Sequence, residues 1–245
     1  LHGVRDKVVI STKSAAPDRA GCAAHIDNSL KLLQTDYIDL FQFHQCPAVP
    51  DIHDPDGAFA AALEAKAAGK IRHIGLTTHR IEVAEDAIAS GNFETLQFPF
   101  SYISTDRDLA LAEKCKAADM GFIAMKGLAG GLLTDARACR AFMSQYDNVV
   151  PIWGIQTAEE LAQWLAVTAE DPQMDEPTWA IIRRDRRELA GSFCRGCGYC
   201  MPCPAGIEIR NSARMNMLLR RSPWRQYYTP EWRGKMERIN DCLGC

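Results

Sequence analysis

Four of the ten cysteines in this 245-residue chain lie close together near its carboxyl end. The run CRGCGYCMPCP holds Cys194, Cys197, Cys200 and Cys203, and the later run DCLGC adds Cys242 and Cys245. Thiolates at such spacing bind zinc or iron–sulfur clusters where thiols stay reduced, and they pair as disulfides in oxidising compartments. The sequence therefore predicts a metal centre, a disulfide or a redox pair at these positions.

The spacing of the cysteines favours 4Fe-4S clusters, either one or two. Bacterial ferredoxins use C-x2-C-x2-C-x3-C-P, and this chain has the same order with one residue fewer in the last gap. In two-cluster ferredoxins the cysteine before proline ligates the other cluster, so Cys203 is expected to share a cluster with Cys242. A zinc site of two CxxC pairs, Cys194/Cys197 with Cys242/Cys245, stays open, although it leaves Cys200 and Cys203 without a role. The remaining cysteines are expected to be ordinary small apolar residues: Cys22, Cys46, Cys115 and Cys139.

A second set of polar residues could carry chemistry because each of them follows or ends an apolar run of strand length. This set consists of Lys13, His44, Thr77, Thr78, Gln97 and Lys126. In a parallel α/β barrel, the carboxyl ends of all strands meet at one face, where catalytic groups lie. The sequence therefore predicts that these side chains gather at one site.

The apolar runs recur about every 23 to 34 residues, which is the size of a βα unit. Strands are predicted at 8–10, 37–43, 71–76, 95–98, 121–125 and 149–153, and helices over 58–68, over 106–118, from Thr157 and over 211–220. No strand is followed by G-x-G-x-x-G, so a barrel is favoured over a dinucleotide-binding doubly wound sheet. Eight strands need two more, which we expect to precede Leu1. The predicted fold is α/β, a (β/α)8 TIM-type barrel lacking its first two βα units.

Composition narrows the functional class. The formal net charge of −3 argues against a nucleic-acid-binding arm. No apolar run approaches the roughly 20 residues of a membrane span, and the first residues carry no signal-peptide pattern. We therefore expect a cytoplasmic protein that binds neither nucleic acid nor membrane.

Three segments resemble the aldo/keto reductases in order and spacing. They are RDKVVISTK ending at Lys13, SLKLLQTDYIDL leading to His44, and GKIRHIGLT ending at Thr77. Together with the cysteine run, the chain resembles the branch of that superfamily with a C-terminal ferredoxin-type 4Fe-4S domain. The resemblance implies a partial barrel over 1–170, a linker or helix over 171–190 and a small, mostly helical, ferredoxin-like iron–sulfur module, also partial, over 191–245.

The resemblance also implies roles for individual residues. The family reduces carbonyl groups by hydride transfer from NAD(P)H with an Asp, a Tyr, a Lys and a His. Lys13 matches the lysine and His44 matches the histidine, whereas the tyrosine and aspartate belong to a segment before the lysine strand. The chain is therefore expected to be inactive in carbonyl reduction unless it is part of a longer protein.

For the cofactor, the resemblance assigns the nicotinamide end to Thr77, Thr78 and Gln97, with Met125 and Lys126 where a stacking tyrosine often stands. The adenosine phosphate is assigned to the start of a helix, at Gly154, Gln156, Thr157 and Glu160. Gln156 replaces the basic residue that usually favours NADP.

These observations predict an NAD(P)H-linked oxidoreductase with 4Fe-4S clusters. Its substrate would be a small carbonyl or redox-active molecule, and an electron-transfer protein is a possible partner. The clusters could also be structural or sensory beside ordinary carbonyl reduction. The alternative is a non-catalytic electron-transfer or redox-sensing protein on a degenerate barrel.

Overall fold

The computed structural model describes residues 3–189, 194, 198, 200–221 and 224–245. Six parallel strands form one sheet in chain order: β1 (Ser11–Ser14), β2 (Ile38–Phe43), β3 (Ile71–Thr77), β4 (Thr95–Pro99), β5 (Gly121–Met125) and β6 (Val149–Pro151). Six helices follow these strands in turn: α1 (Arg19–Leu33), α2 (Ala58–Ala67), α3 (Ile81–Ser90), α4 (Asp106–Ala117), α5 (Ala136–Met143) and α6 (Ala158–Glu170). This alternation is the α/β pattern that the sequence predicts, and it is consistent with a TIM-type barrel.

Further helices follow α6 along the chain. They are α7 (Glu176–Glu188), α8 (Ile209–Ser212), α9 (Met215–Arg221) and α10 (Pro230–Glu237), and short 3₁₀ turns lie at Arg5–Lys7, Trp224–Tyr227 and Arg238–Asp241. No helix among the described residues is long and apolar enough to cross a membrane.

The chain divides into two compact units. Unit 1 comprises Leu1–Phe98, Thr105–Met125 and Asn148–Val150, and unit 2 comprises Pro99–Ser104, Lys126–Asp147 and Pro151–Cys245. In unit 1, an aromatic cluster of Phe43, Phe59 and Phe93 packs β2 against α2. In unit 2, the buried Tyr102 hydroxyl donates to Asp185 of α7 at 2.6 Å.

The predicted helix ends are confirmed where they rest on capping residues. Gly69, just after α2, has a φ of +75°, a backbone conformation that glycine adopts without a Cβ clash. Thr157 forms a reciprocal capping box with Glu160 at the start of α6. Local side-chain chemistry therefore fixes these boundaries.

Two predicted elements are wrong. The strand expected at 8–10 lies instead at Ser11–Ser14, and Val9 is 81% exposed, because only the later residues pair with β2, from Ser11 opposite Leu40 to Ser14 opposite Phe43. The helix expected over 211–220 is interrupted between α8 and α9 at Arg214. The guanidinium of Arg214 is buried against the Gly130 backbone and donates to the carbonyl of Ala129 at 3.4 Å. The spacing of apolar residues over 211–220 gives no sign of this contact, because Gly130 is far away in the sequence.

The start of the sheet is held by a carboxylate between two arginines. Asp39 Oδ2 accepts from Arg5 Nη2 at 2.8 Å and from the Ile10 N–H at 2.9 Å, and Asp39 Oδ1 accepts from Arg72 Nη1 at 2.9 Å. Both guanidinium groups also lie over the ring of Tyr37, at 3.7 and 3.9 Å from its centroid. Although burial raises the pKa of Asp39, these hydrogen bonds and positive charges outweigh it and hold the pKa below its ordinary value.

Replacing Asp39 with Asn should lower the free energy of unfolding at pH 7 by about 3 kcal/mol, because two arginines lose their shared anion. Asp39 has a lower pKa in the folded chain, so its contribution is present above the unfolded pKa of 3.8 and is lost as the pH falls through the folded value. Urea unfolding at pH 7 and pH 3 measures both effects. The exposed Asp86→Asn serves as the control, and an equal D39N deficit at both pH values would contradict this account.

Gly75 allows β3 and β4 to approach closely. A methyl group at this position would overlap Thr95 Oγ1, and it would lie 3.1 Å from the Thr95 carbonyl oxygen and 3.2 Å from Gln42 Cγ. Gly75→Ala should therefore destabilise the protein by about 2–3 kcal/mol through overpacking.

The matched control for this change is Gly121→Ala, a sheet glycine whose added methyl would meet ordinary contacts, the nearest at 3.4 Å. We expect the control to alter the free energy of unfolding by less than about 0.5 kcal/mol in denaturant titrations. Equal effects of the two substitutions would show that the space beside Thr95 can adapt.

Candidate active site and cysteine cavity

Lys13 and His44 lie at neighbouring strand ends in unit 1. Lys13 pairs with Gln42 in the register of β1 and β2, and His44 follows β2 directly. The backbone N–H of His44 donates to the Ser14 carbonyl at 2.8 Å, which ties the two strand ends together. The structure therefore brings together the two residues for which the sequence predicts catalytic roles.

The surroundings of this pair lower the pKa of both side chains. Partial burial lowers the pKa of His44, and the charge of Lys13 lowers it further. Burial also lowers the pKa of Lys13. Since the ordinary pKa of histidine is 6.5, His44 is a neutral imidazole at pH 7 and can donate one hydrogen bond to an incoming oxygen.

Gln97 lies on β4 in a buried polar layer of unit 1. Its Oε1 accepts from Gln42 Nε2 at 3.2 Å, and its own Nε2 lies 3.5 Å from the Sδ of Met125. The predicted cofactor residues Gln97 and Met125 are therefore in contact. The sequence analysis did not identify Gln42. Its position two residues before His44 could have indicated it, because side chains two residues apart along a strand lie on the same face.

Thr77 ends β3 and Thr78 follows it, and the hydroxyl groups of both form hydrogen bonds. Thr77 Oγ1 accepts from the backbone N–H of Gln45 at 2.9 Å, and Thr78 Oγ1 donates to the Cys46 carbonyl at 3.0 Å. Both threonines are almost completely buried. In this structure they brace the loop after β2, while their contact with a cofactor stays a prediction.

In unit 2, the loop after β5 begins with Lys126 in a left-handed conformation, at a φ of 57°. The next residue, Gly127, packs against the ring of Trp153, which is stacked on Trp164 of α6 with 4.1 Å between ring centroids. This tryptophan pair fixes the segment that leads to Gly154. Side chains far apart in sequence therefore support the loops assigned to the cofactor.

The N–H groups at the start of α6 are already bound by a carboxylate of the same helix, that of Glu160. Glu160 Oε2 accepts from the N–H of Gln156 at 2.6 Å and from the N–H of Thr157 at 3.3 Å, and Thr157 Oγ1 accepts from the Glu160 N–H at 3.2 Å. These are the N–H groups that a phosphate would bind at a helix start. An additional phosphate here would meet the Glu160 carboxylate.

The late cysteines share a cavity in unit 2. Cys203, Cys242 and Cys245 line a space of about 410 Å³ whose other walls include Ile207, Ile209, Leu243 and Ser212. The Ser212 Oγ is buried and has no hydrogen-bond partner within the described part of the chain. The fold thus places Cys203 at the same cavity as Cys242 and Cys245, about 40 residues later in the sequence, beside the Ser212 hydroxyl group.

The structure describes two of the three other motif cysteines. Cys194 is partly buried and Cys200 is exposed, whereas Cys197 lies outside the described residues. Within the part of the chain that the structure describes, no three His, Cys, Asp or Glu side chains converge closely enough to hold a single metal ion. The scattered Cys22, Cys46, Cys115 and Cys139 are buried, as predicted for small apolar residues.

The family model for the aldo/keto reductases matches residues 1–165, which include β1 to β6 and the Lys13–His44 pair. The chain belongs to the aldo/keto reductase family. The sequence-based resemblance is confirmed to this extent.

Individual relatives agree with this family. Aldo-keto reductase YhdN of Bacillus subtilis is 33% identical over 144 residues, covering 54% of this chain and 42% of that protein. Protein tas of Escherichia coli is 29% identical over 246 residues, covering 84% of this chain and 71% of the relative. The match therefore spans less than half of the Bacillus protein's own length.

A solved structure shares the fold. An aldo-keto reductase of Bacillus halodurans superimposes with a TM-score of 0.63 at 21% identity, covering 76% of this chain and 74% of the other. At this identity the likeness shows the fold alone.

Proposed function

We propose that the intact protein is an NAD(P)H-dependent oxidoreductase that reduces a small carbonyl compound and carries 4Fe-4S clusters in its cysteine module. The observation that carries the carbonyl chemistry is the pairing of Lys13 with a neutral His44 at adjacent strand ends. In this proposal, bound NAD(P)H supplies the hydride that the carbonyl carbon accepts. His44 orients the carbonyl oxygen, which takes up a proton from the family's tyrosine in the intact protein, and Lys13 provides positive charge beside that proton transfer.

The residues at the nicotinamide end fit a carboxamide group. Gln97 Nε2 donates to the Met125 thioether, a weak acceptor, so the stronger carboxamide oxygen can replace this contact. At the α6 start, the Glu160 carboxylate and the uncharged Gln156 favour a cofactor without an extra phosphate. We therefore expect NADH to bind at least as tightly as NADPH.

The late cysteine cavity fits an iron–sulfur cluster better than a single zinc ion. A cubane holds its ligand sulfurs on four different iron atoms, so they are spread more widely than around one ion. The cavity has apolar walls, and the Ser212 hydroxyl could donate a hydrogen bond to a sulfide of the cluster. Hydrogen bonds to sulfur are common in iron–sulfur sites. When present, the clusters would supply one-electron transfer to a redox partner protein.

Two measurements on the full-length protein test this proposal. Fluorescence titration with NADH and NADPH should show saturable binding, and anaerobic reconstitution should yield about four or about eight iron atoms per chain with matching sulfide. Colourless protein with stoichiometric zinc would overturn the cluster assignment. Absence of NAD(P)H binding would overturn the reductase assignment and favour a non-catalytic electron carrier or redox sensor.

A further inference from the structure

A buried amide on β2 links three strands of unit 1. Gln42 is 1% exposed, and its Nε2 donates to Ser11 Oγ of β1 at 2.9 Å and to Gln97 Oε1 of β4 at 3.2 Å. Both N–H groups of this amide are therefore engaged. Its own Oε1 is buried and has no hydrogen-bond partner among the residues that the structure describes.

The glycine beside Gln42 leaves room for its side chain to reach β4. Gly75 separates β2 from β4 in the sheet register, and its missing side chain lets Gln42 reach across to β4. Burying an amide with one unsatisfied oxygen costs roughly 1–3 kcal/mol, which an apolar residue of the same size would avoid. Packing alone therefore does not explain a glutamine at this position.

The contact fixes which end of the Gln97 amide faces which way. Because Oε1 of Gln97 is held by a donor from Gln42, its Nε2 must lie on the opposite side, where Met125 Sδ is 3.5 Å away. A thioether satisfies an amide N–H only weakly. Gln97 thus presents a poorly satisfied donor next to the strand ends that carry Lys13 and His44.

We infer that Gln42 is a positioning residue for the cofactor: it locks the Gln97 amide so that its N–H groups donate to the nicotinamide carboxamide oxygen. This inference rests on the proposed NAD(P)H binding. Without Gln42, the Gln97 amide can flip by about 180°. In the flipped orientation its Oε1, and not its Nε2, faces the carboxamide oxygen of the nicotinamide, and no hydrogen bond forms between the two oxygens.

The test compares ligands with and without a nicotinamide. Gln42→Met in the full-length protein should weaken NADH and NADPH binding roughly tenfold, the cost of about one hydrogen bond. Affinity for ADP-ribose and its 2′-phosphate, which lack the nicotinamide ring, should stay within twofold in competition titrations. These ligands also report whether the variant is folded.

Two further variants complete the experiment. The double variant Q42M/Q97M should bind NAD(P)H no more weakly than Gln97→Met alone, because Gln42 acts through Gln97. If Q42M does not fold, Gln42→Asn keeps a buried amide that is too short to reach Gln97, and it should show the same selective loss.

Equal weakening of all ligands, or unchanged NAD(P)H binding in Q42M, would overturn the positioning role while leaving the proposed function intact. Failure of the unmodified protein to bind NADH and NADPH would instead overturn the proposed function, and this inference with it.

Discussion

Replacing Lys13 with Met in the full-length protein should lower kcat/KM for carbonyl reduction by roughly 10²–10⁴-fold. Lys13 is the positive group beside His44, and its loss leaves the developing charge on the carbonyl oxygen without a cation. A steady-state assay of NAD(P)H oxidation with a panel of aldehydes and ketones measures the effect. Cofactor affinity should change much less, because the contacts of Gln97 with Gln42 and Met125 do not involve Lys13.

A second readout of the same variant does not depend on turnover. The charge of Lys13 lowers the pKa of His44, so K13M should raise that pKa, while burial keeps it below 6.5. NMR titration of the imidazole follows this change. Lys31→Met, on the exposed surface of α1, is the control for loss of a lysine charge. Unchanged turnover and an unchanged His44 pKa in K13M would refute the assignment of Lys13.

Substituting the cysteines one at a time should divide them into two groups. If Cys203 shares the late cavity's cluster, then Cys203→Ser, Cys242→Ser and Cys245→Ser should each remove the same iron–sulfur signal. Cys194→Ser and Cys200→Ser should instead remove the other cluster. Iron and sulfide analysis after anaerobic reconstitution should show a loss of about four iron atoms per chain in each group, from about eight. Electron paramagnetic resonance of the reduced protein distinguishes which signal is lost.

The buried Cys115 provides the control, because it lies in α4 of unit 1. Cys115→Ala should retain all iron and change only stability. If Cys203→Ser loses the same signal as Cys194→Ser, the cysteine before the proline belongs to the first group. The short last gap of CRGCGYCMPCP would then mark a departure from the two-cluster ferredoxin pattern.

Much of the fold follows from the sequence alone. The 23–34-residue recurrence of apolar runs predicted the six alternating βα units, because a parallel strand pair requires a crossover helix of that size. The same rule placed Lys13 and His44 at adjacent strand ends, since all parallel strands end at one face. Capping by Thr157 and Gly69 fixed helix boundaries through interactions within a few residues. In each case the determining interaction is local or repeats regularly along the chain.

Other features were decided only by the tertiary structure. The contact of Gln42 with Gln97 joins residues 55 positions apart and depends on Gly75 between them, so no local pattern reports it. The helix expected over 211–220 is interrupted at Arg214, whose side chain packs against Gly130. The sequence could suggest a partnership of Cys203 with Cys242, but only folding shows the apolar cavity that these cysteines share with Cys245. Sequence periodicity determines which elements form, whereas the partner of a buried polar or thiol group is set by packing between distant segments.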